Sequence, residues 1–271
     1  MAEAAARRAA GGLLAAAAGA SWVVVWRALA PSGGCWVWVL PLVVWVLLAV
    51  AFARPALRWR RCLVACVLDA ASPWRRWLRG RLWLPLRAAV GAALVTGVLA
   101  LEVLSWPTGW TAVVLVTLPI PPLAASWLAR RLADARPHWR EVIAAAAVGR
   151  AYAVLMVVLF AGMQLFSPPP VVVHPGLVDT VREARAAVAA VCPALREVAG
   201  LRAEIAASAW WLLATEGARL DTAWLRALAW AGFLLSGGLA FYGLARSVLE
   251  LTRWVAGGGA AFQRPSAPPS P

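Results

Sequence analysis

Long apolar runs alternate along the chain with short breaks rich in arginine, proline or glycine. Six runs reach the length of about 20 helical residues needed to cross a hydrocarbon core: Gly11 to Ala30, Trp36 to Ala53, Ala88 to Leu104, Thr111 to Leu128, Val142 to Phe166 and Trp224 to Leu249. Their apolar positions are continuous instead of alternating, which points to helices that satisfy their own backbone in lipid and not to barrel strands. The fold class predicted is all-α, a polytopic membrane helical bundle of six transmembrane helices. Residues 1–166 hold the first five spans, 167–223 an external amphipathic helical segment, and 224–271 the sixth span with a disordered cytoplasmic tail. Proline interrupts the second run at Pro41 and the fourth at Pro119, Pro121 and Pro122.

Between the fifth and sixth runs the period changes. Leu177, Val181, Ala184, Val188, Val191, Leu195 and Val198 are spaced alternately by 4 and 3, the seam of a coiled coil. Pro193 removes a backbone donor and predicts a division into two helices, the second continuing through "LREVAGLRAEIAASAWWLLAT". Two readings are open: the segment folds back on its own bundle, or its seam is a docking surface for a protein partner or a second copy. Trp210 and Trp211 mark a return to the membrane interface.

Charge orients the threading. All 26 basic residues are arginine, against 12 acids. With both termini cytoplasmic, the inner segments hold eighteen arginines and five acids, while the turns "PSGGC" and "SWPTGW" carry none and residues 167–223 hold five arginines and six acids. The net charge of +14 is thus accounted for by the excess of arginine in cytoplasmic loops, so it does not argue for nucleic acid as a partner. Apolar residues at 63% and charged residues at 14% place the protein in a cell membrane, read as a bacterial inner membrane. "RRAAGGLLAAAAGA" has the parts of a signal peptide, yet the apolar run continues through "SWVVVW", which favours an uncleaved first helix.

The first cytoplasmic loop, residues 54–87, interleaves tryptophan with arginine. At helical spacing Trp74, Trp77 and Leu78 share one face and Arg75, Arg76 and Arg79 turn toward the other. This suits a helix lying in the plane of the membrane, its rings at headgroup depth and its guanidiniums on anionic lipid.

Three charges fall inside the first five apolar runs. Arg150 lies about 12 Å from the cytoplasmic start of its helix, and its side chain points back toward that end, so the guanidinium snorkels to the inner headgroups. Arg27 and Glu102 lie about 24 Å and 21 Å from the inner faces of the first and third spans. If those helices are neighbours, an Arg27–Glu102 ion pair satisfies both charges.

Catalytic chemistry has little to stand on. His138 falls inside and His174 outside, and Cys62 with Cys66 falls short of a four-ligand zinc site. No cofactor or metal is expected, and the reading is non-enzymatic. Cys35 and Cys192 are the two cysteines placed outside; a disulfide between them requires the external helices to fold over the turn joining the first two spans.

A weak internal repeat pairs Pro31-Ser32-Gly33 with Pro107-Thr108-Gly109, Ala53-Arg54-Pro55 with Ala135-Arg136-Pro137, and Trp59-Arg60 with Trp139-Arg140, at separations of 76, 82 and 80 residues. The stretch "RAAVGAALVTGVLALEVLSWPTGWTAVVLVTLPIPPLAASWLARRL", Arg87 to Leu132, resembles the membrane hairpin of the fusaric-acid-resistance type of aromatic-acid exporters. It departs from that pattern in the following "HWREVIAAAAVG" and shows no large cytoplasmic domain. The resemblance implies an exporter but carries no functional residue across. Two function classes follow: a membrane-embedded subunit or scaffold that presents the external helical module to a protein partner, and a small-solute exporter or channel.

Overall fold

The computed structural model describes residues 2–67, 83–132, 137–166, 172–216 and 223–256. The described chain is all-α: α1 (Ala2–Ser32), a 3-10 turn (Cys35–Trp38), α2 (Val39–Val67), α3 (Trp83–Ser105), α4 (Thr108–Thr117), α5 (Ile120–Arg131), α6 (Pro137–Phe166), α7 (Leu177–Ala186), α8 (Pro193–Trp211) and α9 (Ala223–Ala256). A π-helical turn, Leu212–Glu216, continues α8. Among the described residues six segments are long and apolar enough to cross a membrane: Ala9–Ser32, Cys35–Leu57, Trp83–Ser105, Thr108–Arg131, Trp139–Gln164 and Trp230–Val255. The protein is a multi-pass membrane protein.

Several element ends differ from the sequence expectation. Helix α2 continues past Pro55 to Val67 and α3 begins at Trp83, so both flanks of the expected 54–87 loop are helical. Pro41 does not break the second span, because it falls in the first turn of α2, where a backbone N–H has no helical acceptor in any case. The fourth span does break. Pro119, Pro121 and Pro122 withdraw three donors in four residues, and the span is built from α4 and α5 with Leu118 and Pro119 between them.

Helix α9 is the hub of the bundle, packing on α1, α2, α3, α5 and α6. In its spanning window 56% of residues are buried, against 22% to 44% in the other five. Small residues allow the close approach: a Cβ added at Gly19 of α1 would come within 2.8 Å of Val248 Cγ2, and one at Gly243 of α9 within 2.5 Å of Val95 Cγ1. The centre is filled by Trp26, Leu48, Leu99, Leu118, Met156 and Phe241, all buried. Leu94, Val116, Val158 and Leu235 point outward and are exposed, as the lipid-facing side of a bundle requires. Three tryptophans lace the helices together by donating their indole N–H groups to carbonyls of neighbouring helices. Trp26 Nε1 donates to the Ala100 carbonyl (2.8 Å), Trp45 Nε1 to Ala89 (2.8 Å) and Trp22 Nε1 to Leu40 (3.0 Å).

Helices α7 and α8 pack on each other and form a cap over the end of the bundle where α1 finishes. The run from Leu177 to Val198 divides into two helices, the second opening at Pro193, as the sequence predicts. Helix α7 stops at Ala186, residues 187–192 are non-helical, and Pro193 opens α8 at its first turn. The reason is local: the residue before a proline avoids the α region, and Cys192 is extended (φ −70°, ψ 119°). Leu195 is buried, Val181 and Val188 are half-buried, and Leu177, Val191 and Val198 are exposed, so the seam is not one face.

Candidate functional site

Among the described residues a disulfide, a backbone hydrogen bond and an ion pair fasten the cap to the bundle. Cys35, opening the 3-10 turn, and Cys192, the N-cap of α8, form a disulfide with a Cα–Cα separation of 4.9 Å. The Val191 amide donates to the Pro31 carbonyl (3.2 Å) at the end of α1. From the middle of α8, Arg202 Nη2 reaches Glu102 Oε2 of α3 at 2.8 Å. Within the cap, Arg185 of α7 binds Glu197 (2.6 Å) and Glu204 of α8. The hydrogen bond and charge of Glu204, then the charge of Glu197, hold the Arg185 guanidinium above its already high ordinary pKa. His174 Nε2 contacts Glu183, and Thr180, fully buried, accepts the His174 amide (2.9 Å) and donates to the Gly176 carbonyl (3.0 Å).

Between cap and bundle lies a cavity of about 610 Å³. Its polar lining includes Arg27, Glu102, Gln164 and Arg202, set among Trp106, Phe160 and Trp210. The chain break between α3 and α4 shapes it. Trp106 lies in the non-helical link between α3 and α4, and its carbonyl accepts from Arg27 Nη1 at 2.5 Å, while Arg27 also binds the Thr111 hydroxyl. Arg27 and Glu102 therefore share this cavity without pairing with each other. The expected Arg27–Glu102 pair does not form because α8 brings Arg202 down onto Glu102, and Arg27 is drawn to the carbonyl and hydroxyl at the link between α3 and α4.

At the opposite end of the bundle stands a second charged cluster that sequence reasoning missed. Glu250 of α9 is 1% exposed. Its carboxylate accepts from Arg54 (2.5 Å), Arg253 (3.3 Å) and Trp254 Nε1 (3.3 Å). The Arg54 guanidinium also sits over the Trp254 ring, 5.3 Å from its centroid. Arg253 Nη2 continues to the Glu141 carbonyl of α6 (2.5 Å), and buried Arg246 donates to the Ala51 carbonyl of α2 (3.2 Å). The spacing of Arg246, Glu250, Arg253 and Trp254 places all four along one helical face, a signal hidden when Glu250 is counted only among cytoplasmic charges.

Arg150 is exposed on α6, beside Gly149, whose bare surface receives the Arg246 side chain. Trp74, Arg75, Arg76, Trp77 and Arg79 lie outside the described residues. Among the described residues no three His, Cys, Asp or Glu side chains converge in a way that would hold a metal. Comparison with known proteins finds no matching family model, no matching curated protein and no matching solved structure.

Proposed function

We propose that the protein is a non-catalytic membrane component that presents the α7–α8 cap to a protein partner on the outer side of the membrane. The observation that carries this reading is an apolar stripe on the anchored cap. Val198, Leu201 and Ile205 of α8 are 43%, 56% and 64% exposed and follow one another at helical spacing, the pattern by which a helix recognises another helix. A disulfide and an ion pair hold that stripe in a fixed orientation, and a preorganised surface loses less entropy on binding. The arginine asymmetry described above supports placing the cap outside. Photo-crosslinking tests the reading. A crosslinker at Leu201 should give one discrete protein adduct in intact membranes, abolished by Ile205→Glu, while a crosslinker at lipid-facing Leu94 should not. Lipid-only adducts at Leu201 would reject it.

The cavity and the proline break in the fourth span favour a second reading, a small-solute exporter or channel, in keeping with the resemblance of Arg87 to Leu132. The middle of the bundle supports it less, being occupied by large apolar side chains from Trp26 to Phe241. Solute flux in proteoliposomes, absent from vesicles lacking the protein, would move the balance to transport.

A further inference from the structure

Arg27 borders two spaces at once. One is the cavity beneath the cap; the other is a groove of about 410 Å³ on the flank of the bundle, lined by Val24, Arg27, Ala28, Thr108, Thr111, Ala112 and Leu115. The groove lies between α1 and α4, and Val24, Ala28, Thr108 and Ala112 are exposed there, on the side of each helix that lipid covers. Arg27 is five residues from the end of α1, about 7.5 Å along the axis, which is headgroup depth and not mid-bilayer.

The charge of Arg27 is unspent. Its bonds go to neutral acceptors, the Trp106 carbonyl and the Thr111 hydroxyl. The nearby carboxylate of Glu102 is taken by Arg202, and among the described residues no carboxylate pairs with Arg27. Beside it α4 begins at Thr108, so the first amides of a ten-residue helix and the positive end of its dipole face the same region. Gly109, in that first turn, has nothing within 4 Å of where a Cβ would stand, which leaves the helix start open to an approaching group.

We propose that this is a lateral binding site for an anionic phospholipid. The phosphate sits against Arg27, the Thr108 hydroxyl and the first turn of α4, and one acyl chain runs down the groove along Val24, Ala112 and Leu115. An arginine with spare donors, a hydroxyl and a helix N-terminus together match the several acceptor oxygens of a phosphate. The apolar groove that continues from them matches a chain and not a free ion. The site is independent of the docking reading of the cap.

The test uses the full-length protein in mixed micelles with phosphatidylglycerol or phosphatidylcholine as probes, read by native mass spectrometry and by thermal unfolding. Wild type should retain one phosphatidylglycerol tightly and be stabilised by it more than by phosphatidylcholine. Arg27→Gln should weaken that retention about tenfold or more, the scale of a lost charge-assisted bond to phosphate. Leu115→Trp, which fills the groove and leaves Arg27 in place, should weaken it as well and serves if Arg27→Gln fails to fold. Arg150→Gln, remote from the groove, should retain the lipid. Equal retention of the two lipids by wild type, or equal loss in Arg150→Gln, overturns the site. Inorganic phosphate that stabilises as strongly as phosphatidylglycerol overturns the role of the acyl chain, and oleate that does so overturns the choice of phosphate.

Discussion

The clusters at the two ends of the bundle use the same residue types to opposite ends. At the end where α9 finishes, one buried carboxylate, Glu250, is surrounded by donors from Arg54, Arg253 and Trp254, and the surplus guanidinium capacity spills onto backbone carbonyls of α2 and α6. At the cap end, Glu102 has the single guanidinium of Arg202, and Arg27 is left with neutral acceptors beside open space. A carboxylate enclosed by several donors joins helices. A guanidinium without a carboxylate next to a cavity is available for a ligand. Which end is structural and which is free to bind is decided by the pairing of the charges and not by their number.

The largest effect is expected at Glu250. Replacing both Arg54 and Arg253 by glutamine should strand a carboxylate that is 1% exposed, at a cost of about 3–5 kcal/mol, the range for breaking a buried ion pair from one side. Adding Glu250→Gln to that double variant should recover much of the loss, because no stranded buried carboxylate then remains. Thermal unfolding in detergent measures both. A triple variant no more stable than the double would show that the guanidiniums act through packing against Trp254 and not through charge.

The cap offers the next effect. Cys35 and Cys192 are 157 residues apart in sequence, so their bond closes a long loop. Removing it with Cys35→Ser and Cys192→Ser should cost about 2–4 kcal/mol, and adding reductant to wild type should reproduce the loss. The damage should stay local, with protease cutting near α7 and α8 while α9 remains protected. Alkylation before reduction, followed by mass spectrometry, should return a linked Cys35–Cys192 peptide from wild type.

A smaller effect distinguishes the two arginines near Glu102. A double-mutant cycle between Arg202→Gln and Glu102→Gln should show coupling of about 0.5–3 kcal/mol, as residues in direct contact do. The cycle between Arg27→Gln and Glu102→Gln should fall within the few tenths expected of uncoupled sites. Strong coupling in the second cycle would restore the Arg27–Glu102 pair expected from depth alone.

That expectation shows where a linear reading stops. Six spans are legible because a continuous apolar run of the right length has few other stable outcomes in lipid. The break at Pro119 is legible because each proline withdraws a donor wherever it sits. Partners are different. Glu102 and Arg202 stand 100 residues apart, and depth places Arg27 level with Glu102 without saying that a helix outside the spans descends between them. The 4 and 3 spacing from Leu177 to Val198 fits one coiled-coil rod or two short helices with different buried faces. The choice falls to Cys192, Pro193 and the bonds from this turn to α1 and the 3-10 turn. The Glu250 cluster was legible as a helical face but not as a site, because its main partner, Arg54, comes from a helix 196 residues earlier.

The smallest expected effect sits at Arg150, an arginine in an apolar helix that belongs to neither cluster. Its side chain is exposed, so removing it strands no carboxylate and opens no cavity. Arg150→Gln should shift stability by no more than about 0.5 kcal/mol, the range of surface substitutions away from buried features. It also lies next to Gly149, where α6 receives the buried side chain of Arg246. Adding volume there acts differently from removing charge at Arg150: Gly149→Val should be the more damaging of the two, because even a Cβ would stand 3.2 Å from Arg246 Cδ. Parallel melting curves decide the order. An Arg150→Gln loss equal to that of Gly149→Val would mean that Arg150 is not a bystander and that the cluster around Glu250 extends across α6.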